Sequence, residues 1–121
     1  MLLLNNDGRM EARARWSSSA TTDIVSSDYG TSFWANNWNH IVFTNTTNSS
    51  SRFYLNGSFV SASSANVGTF PSNTLFELMK TDNLSIATAA GKLSQVRVYS
   101  DTLSDSEVTH NYDVMKGRFG L

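Results

Sequence analysis

Arg52-Phe53-Tyr54-Leu55-Asn56-Gly57-Ser58-Phe59-Val60 is the stretch on which the fold turns. Two runs of aromatic and aliphatic residues flank an Asn-Gly pair, the dipeptide best able to adopt the two positive φ angles of a type I′ turn. The spacing predicts a β-hairpin with a two-residue loop. Just upstream, Trp38-Asn39-His40-Ile41-Val42-Phe43-Thr44 is a second β-prone run, suited to the inside of a sheet and ended by the polar tract 45–51.

Working outward, the same grammar recurs. Leu2 to Leu4, then Asn5-Asn6-Asp7-Gly8, lead into a stretch where Met10, Ala12, Ala14 and Trp16 alternate with Glu11, Arg13 and Arg15. Period two around an Asp-Gly turn predicts another hairpin with one buried face. Ile24-Val25 forms a short strand candidate inside the Ser/Thr-rich segment 17–32, and further strands are expected at 75–79, 84–87 and 93–99. In the last of these, Val96 and Val98 face one way and Gln95 and Arg97 the other. The expected core therefore gathers Trp38, Phe43, Tyr54, Val96 and Val98.

One helix is expected. Ser104-Asp105-Ser106-Glu107 matches a capping box, with Leu103 and Val108 placed as its hydrophobic staple. Val108, Tyr112 and Met115 then share a face, and Gly117 is the expected left-handed stop.

Composition bounds what such a fold can do. The chain has 121 residues, one domain's worth, with 40% hydrophobic and 16% charged residues; over a third of it is Ser, Thr or Asn. A net charge of −1 gives no field able to neutralise a run of phosphates, which excludes nucleic-acid binding driven by charge. Without cysteine there are no disulfides and no thiolate metal sites, so a small exported domain would draw stability from elsewhere, as oligomers do. The apolar run Leu2 to Leu4 is too short for a signal peptide or a membrane helix, and no membrane association is expected.

Three blocks resemble the laminin-G-like, concanavalin A-like lectin/glucanase jelly-roll family. They are the Trp-x-His strand Trp38 to Thr44; the hairpin Arg52 to Gly57; and the closing segment Gly91-Lys92-Leu93-Ser94-Gln95-Val96-Arg97-Val98-Tyr99 with Leu103, Ser104 and Glu107. Asn111-Tyr112 and Lys116 to Leu121 are similar to an ending found in phage and marine-virus members. The resemblance implies an all-β jelly-roll sandwich over residues 1–121 with one short C-terminal helix. The front departs from the family pattern, because the chain opens on what resembles an internal hairpin. The first strands are thus expected to be missing, which makes the chain either a reduced sandwich completed by neighbouring subunits or part of a longer polypeptide.

The family's glucanases need two carboxylates flanking a glycosidic bond. The three glutamates, Glu11, Glu77 and Glu107, do not fall in the Glu-x-Asp-x-x-Glu order, and no Gly-x-Ser-x-Gly elbow is present, so no enzymatic activity is expected. His40 and His110 are too few and too far apart for zinc. No cofactor is expected; calcium, which laminin-G-like domains often hold, is left open, with Asp23, Asp28, Asp82 and Asp101 suitable in type alone. Phe33, Trp34, Asn36 and Asn37 form an aromatic, amide-rich segment able to stack a sugar ring and hydrogen-bond its hydroxyls, and they are the candidate glycan site. Against that reading, Phe33 or Trp34 can plug the end of the sandwich.

Together these readings predict a non-enzymatic interaction module. Its expected setting is a virion surface, as a capsid decoration or tail-fibre element, assembled as a homo-oligomer or with other virion proteins. A carbohydrate-binding lectin domain of an exported protein, meeting cell-surface glycans outside the cell, is the alternative.

Overall fold

The computed structural model describes residues 2–4, 9–15, 21–25, 29–35, 37–46, 50–63 and 92–121. The strands expected at 75–79 and 84–87, and Trp16, Asp28, Asn36, Glu77 and Asp82, lie outside the described residues.

Two three-stranded antiparallel sheets form in chain order. The first joins β1 (Leu2–Leu4), β2 (Met10–Arg15) and β3 (Thr21–Val25), with Leu3 opposite Glu11 and Ala12 opposite Ile24. After a single helical turn, α1 (Thr31–Trp34), the second sheet joins β4 (Ile41–Thr46), β5 (Ser50–Leu55) and β6 (Ser58–Ser63). Both hairpins expected from the sequence are present. At the β5–β6 turn Asn56 and Gly57 have φ values of 49° and 79°, the conformation the Asn-Gly pair supplies at little cost. The register slips between Phe53 and Tyr54, a local irregularity of the bulge type that re-aims the strand.

Burial in the second sheet concentrates in its middle strand. Ser51, Phe53, Tyr54 and Leu55 of β5 are all buried, because β5 has a neighbour on each side and a cover on each face. Phe53 and Leu55 form the core on one face with Phe33, Trp34, Ile41 and Val60 packed against them. Tyr54 points to the other face, where α2 (Asp105–Phe119) begins.

Helix α2 carries the expected capping box. The Ser104 hydroxyl accepts from the Glu107 N–H at 3.3 Å, and the Glu107 carboxylate accepts from the Ser104 N–H at 2.8 Å. Val108 is fully buried. Gly117 does not stop the helix, contrary to expectation: the left-handed residue is Gly120 (φ 69°), and the Leu121 N–H closes onto the Lys116 carbonyl at 3.0 Å. Either glycine could satisfy the sequence pattern, and the later one extends the helix to Phe119.

Four expected core residues are corrected. Residues 93–99 carry no strand ladder, and Val96 and Val98 are 42% and 76% exposed. Alternation fixes burial only for a strand hydrogen-bonded into a covered sheet, and no described strand pairs with this segment. Phe43 is 37% exposed although it sits opposite the buried Phe53, because β4 has a described neighbour on one side alone. Trp38 precedes β4 rather than lying within it and is 38% exposed, so it also leaves the core; Tyr54 stays there, at 1%.

Candidate functional site: an aromatic and amide depression

The residues before β4 are held by the Asn-Gly turn. In its left-handed conformation Asn56 clasps the strand entrance twice: its N–H donates to the His40 carbonyl and its side-chain oxygen accepts from the His40 N–H, both at 2.8 Å. Its Nδ2 then donates to Oδ1 of Asn39 at 3.1 Å. This clasp fixes Trp38 and Asn39 at the rim of the sheet. His40 itself turns inward, where its ring lies 5.9 Å from that of Tyr112 and its buried Nδ1 has no hydrogen-bond partner among the described residues. Burial, reinforced by the positive charge of Arg97, pushes the His40 pKa down and favours the neutral ring.

Helix α2 brings the opposite wall. Thr109 Oγ1 donates to the Gly57 carbonyl at 3.0 Å, and Asp105 accepts from Arg52 and from the Tyr54 hydroxyl, the latter at 2.7 Å. With its start and middle tied to the hairpin, the helix delivers Phe119 to Trp38, the ring centroids 5.4 Å apart and the planes tilted by 50°. Phe33, Asn37, Trp38, Asn39, Asn56 and Phe119, closed by the turn at Gly120 and Leu121, line an open depression of about 390 Å³. None of these lining side chains is charged, while the Arg118 guanidinium lies over the Phe119 ring, 5.6 Å from its centroid, at the border of the depression.

Of the four residues proposed from sequence, the structure brings Phe33 and Asn37 into this depression. Asn37 is exposed; its Nδ2 donates to the Phe33 and Ala35 carbonyls at 3.0 and 3.3 Å, which orients the amide. Trp34 packs against the Phe53–Leu55 core, with its ring edge-on to Phe33 at 5.0 Å and to Tyr29 at 5.9 Å. Asn36 lies outside the described residues. Sequence reasoning assigned Trp38 to the core and left Asn39 and Phe119 out of the site. Trp38 and Asn39 carried a signal, being the aromatic and amide next to Asn37; Phe119 had none, since it is 81 positions from Trp38 in the chain.

A second depression of about 330 Å³ is bordered by Asp101, Glu107 and His110. The Glu107 carboxylate is taken up by the Ser104 N–H and hydroxyl, which hold its pKa below the usual range, and no group of three acidic or histidine side chains among the described residues can hold a metal ion. No helix among the described residues is long and apolar enough to cross a membrane.

An antiparallel β-sheet scaffold presenting an aromatic and amide-rich depression is the class these features define. The chain belongs to the concanavalin A-like lectin/glucanases superfamily, whose laminin-G family model matches residues 1–109. It is similar to the 2.1 Å crystal structure of residues 221–444 of an S-layer domain-containing protein from Clostridium thermocellum, with a TM-score of 0.57 and 16% identity. The match takes in 92% of this chain and 54% of that one, so the chain spans about half of that structure, and the likeness is one of fold. No curated protein matches the chain.

Proposed function

We propose that this chain is an exported carbohydrate-binding module that binds neutral glycans without cleaving them, at the depression between Trp38 and Phe119. The observation that carries this reading is the half-exposed Trp38 indole beside Phe119, edged by the Asn37 and Asn39 amides in a site lined by no charged side chain. Sugar rings offer C–H faces to aromatics and hydroxyls to amides, which is the pairing present. Phe33 and Asn37 of the sequence-derived site belong to it, while Trp34 would support it from beneath. Binding rather than turnover is favoured by the commitment of Glu107 to the helix cap.

An extracellular setting is supported by the family and by a structural neighbour described as an S-layer domain-containing protein. The virion-surface setting rests on the resemblance of the C-terminal ending alone. A complete jelly-roll sandwich and assembly into a homo-oligomer belong to the same proposal; the exposed Leu93, Val96 and Val98 favour assembly, and light scattering at micromolar concentration tests it. For the function itself the test is a glycan array with Trp38→Ala as the control. Binding of a neutral glycan that is lost in the variant supports the reading, and an array without hits, or hits unaffected by the variant, overturns it.

A further inference from the structure

The two amides that flank Trp38 in the chain are each held by one end. Asn37 commits its Nδ2 to the Phe33 and Ala35 carbonyls at 3.0 and 3.3 Å, two acceptors that only the nitrogen can meet, so Oδ1 is the end left open. Asn39 is fixed the other way round. The His40 N–H donates to Oδ1 of Asn56 at 2.8 Å, which leaves Nδ2 of Asn56 to donate to Oδ1 of Asn39 at 3.1 Å and makes the nitrogen the open end of Asn39. No hydrogen bond among the described residues uses Asn37 Oδ1 or Asn39 Nδ2, and both residues line the depression together with Trp38. We propose, resting on the glycan-binding reading above, that this ordered pair selects N-acetylated hexosamines, the acetamido N–H donating to Asn37 Oδ1 and its carbonyl accepting from Asn39 Nδ2.

The order of the pair carries the argument. A hydroxyl both donates and accepts, so either end of an amide serves it and a fixed order gains it nothing. A secondary amide has one donor and one acceptor on opposite sides and is the ligand group that uses such an order. Reach agrees, because residues two apart have α-carbons at most about 7 Å from each other, a span that one amide with a hydrogen bond on each side fills. The acetyl methyl needs an apolar contact, and Trp38, between the two amides in the chain, is 38% exposed. Phe119 has no part in holding the sugar, since its ring is packed against Trp38 and carries the Arg118 guanidinium. No carboxylate lines the depression to pair with the free amine of an unacetylated amino sugar. Both open ends are also oriented before any ligand arrives, which limits the ordering cost of binding.

The experiment titrates the whole chain, by calorimetry, with the methyl β-glycosides of N-acetylglucosamine, N-acetylgalactosamine, glucose and galactose, with the 2-O-acetyl ester of the glucoside, and with N-acetyllysine. The expected result is that an acetamido sugar binds on the order of tenfold more tightly than its hydroxyl counterpart, the size of one or two added hydrogen bonds. The ester keeps the carbonyl and the methyl but lacks the N–H, so it should lose part of that advantage, a readout that needs no variant. Asn39→Asp keeps the oxygen that accepts from Asn56 and replaces the donor; it should erase the advantage while circular dichroism matches the parent chain. Equal affinity for acetamido and hydroxyl sugars, an ester bound as tightly as the amide, an advantage unchanged in Asn39→Asp, or N-acetyllysine bound as tightly as the sugars overturns the inference. Binding of the hydroxyl sugars that Trp38→Ala abolishes would then leave the glycan-binding reading standing. Absence of binding to every sugar and to the array overturns both.

Discussion

A Cβ added to Gly57 would fall 2.7 Å from Cδ1 of Tyr112 and 3.0 Å from its Cβ and Cγ, so the β5–β6 turn and helix α2 meet at a distance that leaves no room for a side chain. The same glycine has φ +79°. Gly57→Ala therefore combines left-handed strain with a clash, and we expect it to cost about 2 kcal/mol of stability, read from denaturant unfolding. Adding Tyr112→Ala should relieve the clash and leave the strain, so the double variant should be less destabilised than the sum of the two single changes.

Tyr54 and Asp105 give the second prediction. The Tyr54 phenol is raised above its ordinary pKa first by burial and then by its hydrogen bond to Asp105, against the lowering pull of Arg52. A group whose folded pKa is raised stabilises fully below its unfolded value, and that stability is lost as pH climbs through the folded value. Alkaline unfolding should therefore track the Tyr54 titration. Carbon-13 tyrosine spectra should show Tyr54 titrating above the ordinary tyrosine value, with Asp105→Asn lowering it part of the way. Tyr54→Phe should cost about 1–2 kcal/mol through the lost hydrogen bond to a charged acceptor.

These contacts mark where sequence reading succeeded and where it stopped. The Asn56-Gly57 turn and the Ser104–Glu107 box were legible because each is decided by residues at most three apart, whose local geometry allows few alternatives. Trp38, Phe43, Val96 and Val98 were not, because burial depends on which strands flank and cover a residue, and alternation is silent about that. The site divides along the same line. Phe33 and Asn37 could be found from local composition, whereas the pairing of Trp38 with Phe119 depends on how α2 docks, which is set by contacts of Asp105, Thr109 and Tyr112 with residues far away in the chain.

The third prediction concerns the start of α2. Ser104→Ala removes the hydroxyl that caps the Glu107 N–H and should lower stability by about 1 kcal/mol. The Glu107 pKa is held down by the Ser104 hydroxyl first and its backbone N–H second. A carboxylate with a depressed folded pKa stabilises above its unfolded value and loses that contribution as pH falls through the folded one. Thermal melts of the parent chain should therefore weaken across the acidic range below ordinary glutamate titration, and Ser104→Ala should flatten that slope. An unchanged slope in the variant would remove the cap as its source.

The fourth prediction separates two phenylalanines that face each other across β4 and β5. Phe53 is wholly buried, and Phe53→Ala should cost about 3–5 kcal/mol, in the range of large-to-small core changes. Phe43, more than a third exposed, should cost a fraction of that when replaced by Ala. Equal losses at the two positions would show that β4 is covered on its outer side.

The attachment of α2 to the hairpin also has a bearing on the order of events during synthesis. Arg52 and Asp105 are 53 positions apart, and Gly57 and Thr109 are 52 apart, so the hairpin leaves the ribosome long before the helix that covers it. Until then the Tyr54 ring and the left-handed turn are open to water and to other nascent chains. The two-residue loop holds the strands in register through this wait, and closing so long a stretch of chain is the entropically costly step. Helix docking should therefore come late in folding and give the depression between Trp38 and Phe119 its final shape.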